Sequence, residues 1–169
     1  MPQKSCAPQV RLCRLRWTPK FQSLKAVWQN QSMTFDLKRL PKASLDFIQP
    51  MLAKPANRLP ASGDWLYELK LDGYRALALK KRGKVTLFSR RGNQLNERFP
   101  LIYEAFGFLP DNTMVDGEIV ALDNHGKPSF SALQNSLRGA RLYFYAFDLL
   151  SYRGKDLRWL PLNERRQLL

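Results

Sequence analysis

Two glycine turns divide residues 65–89 into three short apolar runs, WLYELK, YRALALKK and KVTLFS. Asp72-Gly73 separates the first two and Arg82-Gly83 the last two. A two-residue connection joins antiparallel strands, because parallel neighbours need a long crossover. The pattern therefore predicts an antiparallel meander, with WLYELK as its first strand. Further along, TMVDGEIVALD and GKPSF flank a turn at NHG, and Pro128 should end that pairing soon after. RLYFYAFDLLSY is an apolar, aromatic strand followed by a turn at Arg153-Gly154.

Helical spacing is sparser. Phe99, Ile102, Tyr103 and Phe106 recur at helical intervals in ERFPLIYEAFGFLP. SFSALQNSLRG predicts a helix closed by Gly139, and PLNERRQLL one that starts with Pro161 in its first turn. Strands and helices do not alternate regularly and no internal repeat is evident. The expected class is α+β with an antiparallel core.

The charge points to a partner. Among 169 residues, 28 are Lys or Arg and 14 are Asp or Glu, a net charge of +14. An excess of this size suits a polyanion, most often nucleic acid. It is uneven: residues 1–45 carry +8 and residues 46–169 carry +6. Residues 1–45 lack a clear period and are expected to be a poorly ordered basic extension. Three readings of that stretch stand side by side. It is a transit-type leader, a basic arm following DNA phosphates, or upstream sequence with translation starting at Met33. Residues 46–169 form the expected domain.

Cys6 and Cys13 are the two cysteines and His125 the single histidine, so neither a structural zinc site nor a disulfide framework is expected. No run of 18 apolar residues occurs, so no membrane partner is expected.

Lys70 closes the run WLYELK and precedes Asp72-Gly73. A lysine losing hydration at a strand end can release its lone pair for nucleophilic attack. The glycine permits a tight turn and a close ligand approach. Alone, K-x-D-G reads more simply as an ordinary hairpin turn with an exposed lysine.

Three further stretches follow in order: SRRGN at 89–93, VDGEIV at 115–120 and YAFDLL at 145–150. Together with ELKLDGYR they resemble the nucleotidyltransferase motifs of ATP-dependent DNA ligases. The closest likeness is to the ligase domain of bacterial end-joining ligases, which also show PMLA before these motifs and DLRxLPLxERRxLL after them. The resemblance spans residues 46–169. It implies an antiparallel-sheet, ATP-grasp-like adenylation lobe acting in DNA repair or recombination in the bacterial cytoplasm, at the nucleoid.

The resemblance also implies residue roles. Lys70 attacks the α-phosphate of ATP, releases pyrophosphate and holds AMP through a phosphoramide bond. Glu68 sits by the adenine edge. Arg75 and Glu118 hold the ribose. Arg90 contacts phosphate, the 5′-phosphate at a nick in double-stranded DNA. Phe147 stacks on adenine. Mg²⁺ supplies much of the charge neutralisation. Each has a plainer reading: Glu68 pairs with a surface lysine, Arg90 and Arg91 are a solvated loop, Glu118 is a strand-end charge, and Phe147 is core.

The chain also departs from the family. No downstream E-G metal motif, K-x-K pair or OB-type barrel follows, so the lobe is expected to be incomplete and C-terminally truncated. Activity alone, loss of turnover and completion by a separate chain stand side by side as expectations for such a lobe. Arg91 replaces the Asn often seen in SRNG. Two alternatives remain open: an RNA ligase or capping-type nucleotidyltransferase, and a catalytically dead nucleic-acid-binding remnant.

Overall fold

A computed structural model describes residues 36–55, 57–58, 62–63, 65–66, 68–123, 125–135 and 141–169, and no side-chain detail at 135 and 141. Residues 1–35 and the expected helix stop at Gly139 lie outside the described residues. One five-stranded antiparallel sheet organises the chain. Its strands are β1 (Tyr74–Lys81), β2 (Lys84–Ser89), β3 (Thr113–Leu122), β4 (Arg141–Tyr152) and β5 (Lys155–Asp156). Their order is β2-β1-β3-β4-β5, so β3 is central. Three short helices accompany the sheet: α1 (Pro100–Ala105), α2 (Phe130–Asn135) and α3 (Leu162–Gln167). The expected α+β class and the strands YRALALKK, KVTLFS, TMVDGEIVAL and RLYFYAFDLLSY are all present.

The first run of the meander is not a strand. Residues 68–72 lie outside the sheet, and Trp65, Leu66 and Leu69 are 58%, 62% and 76% exposed. The reason is that both edges of β1 are taken. Ala76 pairs with Ser89 of β2 on one side and with Gly117 of β3 on the other. Pairing beside YRALALKK therefore comes from a strand about forty residues later, and WLYELK runs up to the sheet without joining it.

Residues 36–45 join the fold, although the sequence placed them in the poorly ordered extension. The Ala43 N–H donates to the Gly154 carbonyl and the Asp156 N–H to the Pro41 carbonyl. Leu37 and Leu40 pack against the main core. These contacts cover the edge of β5, which would otherwise present unpaired backbone groups.

Alternation along the strands separates two faces. Ala76, Ala78, Val115, Ile119, Phe144 and Ala146 point to one face and pack with Phe99, Ile102, Phe106 and Leu133. Phe106 meets the Phe144 ring edge-on at 4.7 Å. The other face is apolar at one end only. There Leu77, Leu79, Met114 and Leu150 pack under Leu45, Phe47 and Ile48. Its other end is charged, and Lys70 approaches it there. Among the described residues no helix is long and apolar enough to cross a membrane.

Candidate active site

Period-two geometry sets Arg75 in line with Leu77 and Leu79, and Asp116 and Glu118 in line with Met114. Arg75 is the direct cross-strand partner of Glu118. β4 adds an aromatic ring through a bulge. Asp116 pairs with Asp148 and Gly117 with Ala146, which leaves Phe147 as the extra residue of β4. Bulges re-aim side chains beside functional sites, and here the bulge brings Phe147 to the charged end. The Arg75 guanidinium lies 4.2 Å from the Phe147 ring centroid.

The fork of Arg75 is held by Asp116, a residue to which the sequence reading gave no role. Nε and Nη2 donate to the two carboxylate oxygens at 2.7 and 2.6 Å. Burial pushes the Asp116 carboxyl above its usual range, Arg75 pulls it back, and nearby Asp148 adds to the push. Asp148 has its own arginine: Arg165 of α3 donates to it through Nε and Nη2, both at 2.7 Å. A buried and a partly buried carboxylate on neighbouring strands are thus each matched by a bidentate guanidinium, the strongest geometry for such a pair.

Lys70 and Glu118 share one electrostatic environment. Burial pushes the Glu118 carboxyl up. The Gly73 N–H, Arg75 and Lys70 pull it back, and Asp72 opposes them. The glycine of K-x-D-G is fixed by packing. A Cβ at Gly73 would stand 2.2 Å from the Ile119 carbonyl oxygen and 2.7 Å from Val120 Cγ1. Only a residue without a side chain lets the segment carrying Lys70 lie this close to β3. Gly117, in the D-G-E stretch, is fixed likewise by Phe144 and the Tyr145 carbonyl, 2.2 and 2.4 Å from where its Cβ would be. The expected desolvation of Lys70 is absent: the residue is exposed.

Glu68 forms an ion pair with Arg166 of α3. Arg166 also donates through Nε to the Phe147 carbonyl at 2.8 Å. One arginine therefore ties the segment before Lys70 to the bulge of β4. Its position was legible only as part of the ERR run. Arg90 stands apart, exposed in the turn after β2, and shares a cleft of about 380 Å³ with Phe47, Gln49, Leu52 and Arg91. Five of the six candidate residues therefore gather at one end of the sheet, and Arg90 flanks them. No group of three or more His, Cys, Asp or Glu side chains could hold a metal among the described residues.

Known proteins match both sequence and fold. The family model of the ATP dependent DNA ligase domain matches residues 50–169. The chain is 41% identical over 128 residues to the multifunctional non-homologous end joining protein LigD of Pseudomonas aeruginosa, covering 73% of this chain and 15% of that protein. It is 42% identical over 127 residues to the multifunctional non-homologous end joining DNA repair protein LigD of Mycobacterium tuberculosis, covering 73% and 17%. The chain thus spans about a sixth of these relatives. Among solved structures, mycobacterial DNA ligase D complexed with ATP and MES superposes with a TM-score of 0.55 at 40% identity, over 60% of this chain and 34% of that one. An antiparallel sheet that gathers the K-x-D-G, D-G-E and A-F-D stretches at one end, matched by a family model over most of its length, makes this chain a member of the ATP-dependent DNA ligase domain family.

Proposed function

We propose that this chain carries the adenylation step of an ATP-dependent DNA ligase, with Lys70 as nucleophile. The observation that carries the reading is the convergence of Lys70, Arg75, Glu118 and Phe147 on one sheet end, with Gly73 pressed against β3. Lys70 Nζ forms a bond to the α-phosphorus of ATP. The bond from that phosphorus to the bridging oxygen breaks, and pyrophosphate leaves with the electron pair. The amine proton passes to solvent, and AMP remains on the lysine. The family relation and the ATP-bound structural neighbour support ATP as the nucleotide.

Arg75 and Glu118, facing each other across β1 and β3, bind the ribose hydroxyls. Phe147 stacks on adenine, and Glu68, set by Arg166, borders its edge. The residues present fit a Mg²⁺ that travels with the triphosphate. Such an ion would take most of its ligands from phosphate oxygens and water, with Asp72, two residues from Lys70, as the carboxylate that would complete the set. When bound, it neutralises phosphate charge. Arg90, at the flank, takes the 5′-phosphate of nicked double-stranded DNA, to which the adenylate is passed.

ATP labelled at the α-phosphate and ATP labelled at the γ-phosphate separate this chemistry from simple binding. The reading expects stable α-label and no γ-label on the denatured protein. Retention of γ-label, or of neither, contradicts it.

A further inference from the structure

We propose that the end of the sheet away from Lys70 is a second contact surface for duplex DNA phosphates. The choice of partner rests on the DNA ligase reading; the surface itself rests on charge and backbone geometry. β1 ends there at Lys81, β2 begins at Lys84, and β4 turns into β5 through Arg153-Gly154. The lead-in segment adds Lys38 and Lys42, the latter bridged to Lys155. Lys38, Lys42, Arg82, Lys84 and Arg153 are all exposed, and none has an ion pair among the described residues.

The acidic groups at this end are already engaged. Asp36 accepts from the Lys38 N–H and lies 3.8 Å from Arg39. Asp46 pairs with Lys81 at 3.3 Å. Asp111 accepts the Gly83 N–H with both oxygens at 3.1 and 3.0 Å. Five cations without an ion pair therefore face one exposed carboxylate, Asp111, that no cation among the described residues holds, whereas Arg75, Arg165 and Arg166 at the opposite end each grip a carboxylate.

Backbone geometry gives an independent sign. Arg82 and Arg153 have φ of 51° and 49°, followed by Gly83 at 75° and Gly154 at 81°. The first position of such a turn favours Asn, Asp or Gly, because a longer side chain is strained at positive φ. Two separate turns at the same sheet end place arginine there instead. Strain tolerated twice at matching positions points to a use for the side chain.

The row also has suitable dimensions. The two turns lie three strand spacings apart, about 14 Å, comparable to the roughly 12 Å width of the duplex major groove. The eight residues of β1 put the row about 25 Å from Lys70, or about seven base pairs along a duplex rising roughly 3.4 Å per pair. A duplex bound at its nick by the catalytic end is long enough to reach this row.

The test uses the whole chain and an intact fluorescent duplex, read by anisotropy across a salt series. Arg82→Asn combined with Arg153→Asn removes two charges while suiting both turns better. We expect the slope of log affinity against log salt to fall by about two, binding at moderate salt to weaken several-fold, and the melting temperature to hold or rise. Lys38→Gln with Lys42→Gln and Lys84→Gln should lower the slope by about three. An unchanged slope in both variants overturns the proposal. So does unchanged duplex binding with lost retention on phosphatidylglycerol vesicles, which assigns the surface to a membrane. Both variants should still take label from ATP, and Lys70→Ala should keep the full slope, so this reading and the adenylation reading fail separately.

Discussion

The two faces of this sheet are built by opposite rules. On the closed face, Ala76, Ile119, Phe144 and Ala146 sit under Phe99, Ile102 and Phe106, and nearly every contact is apolar. On the open face, the same strands present Arg75, Asp116, Glu118 and Phe147 at one end. The closed face is filled by apolar side chains; on the open face Arg75 and Asp116 hold each other. Strands β1, β3 and β4 must satisfy both rules at once, which explains why glycines occur where the two meet. Gly117 makes room for Phe144 between two carboxylate-bearing positions, and Gly73 lets the Lys70 segment approach the sheet.

Breaking the closed face should have the largest effect on stability. Phe144→Ala removes a fully buried ring from the centre of the core and should cost about 3–5 kcal/mol, read by chemical denaturation. Nucleotide labelling should fall in parallel with the folded fraction and no faster.

Gly73→Ala tests the seam between the faces. Its Cβ meets a backbone oxygen, so the segment must move away from β3. We expect about 1–3 kcal/mol of destabilisation and a loss of labelling that persists under conditions where the protein is folded. Full labelling would show that the close approach does not place Lys70.

Asp116→Ala breaks the open face. It leaves the Arg75 guanidinium without its bidentate acceptor and should cost about 1–3 kcal/mol. Arg75 is only partly buried, which limits the loss. The companion signature is a weaker apparent affinity for ATP, measured by the concentration dependence of labelling, because the fork is no longer aimed.

The smallest effects are in pH dependence, and they have opposite signs in two regions. Burial raises Glu118, so the folded state binds the proton more tightly than the unfolded chain. Its contribution to stability is complete below the ordinary glutamate range and is lost as pH rises through the raised value. Asp156 is lowered, chiefly by the hydrogen-bonded Arg158 guanidinium. Its contribution is complete above the ordinary aspartate range and is lost as pH falls through the lowered value. Melting temperatures across pH should show Glu118→Gln flattening the fall toward neutrality. Asp156→Asn should remove part of the loss in acid.

Four strands and the α+β class were legible because period-two alternation and glycine turns are local signals. The status of WLYELK was not. Its apolar alternation matches a strand, but whether it pairs depends on β3 occupying the edge of β1 some forty residues later. The inclusion of residues 36–45 was hidden similarly, since Leu37 and Leu40 find their partners in the core and Ala43 and Pro41 theirs around β5.

The candidate site residues were proposed from motif order. The connections among them were not, because ion pairs between distant segments leave no periodic trace. Asp116 stands in the quoted VDGEIV and Arg166 in the quoted ERR run. Nothing local distinguishes them from a solvated carboxylate and a helix-surface cation. Phe147 shows the same limit, since a bulge in β4 decides which way its ring is sent.

The central claim concerns one nitrogen. After incubation with ATP and Mg²⁺, peptide mapping of the wild-type chain should find an acid-labile adenylate on the peptide containing Lys70, and Lys70→Ala should carry none. Equal adenylate on the two proteins, or a modification mapped to another residue, would contradict the account.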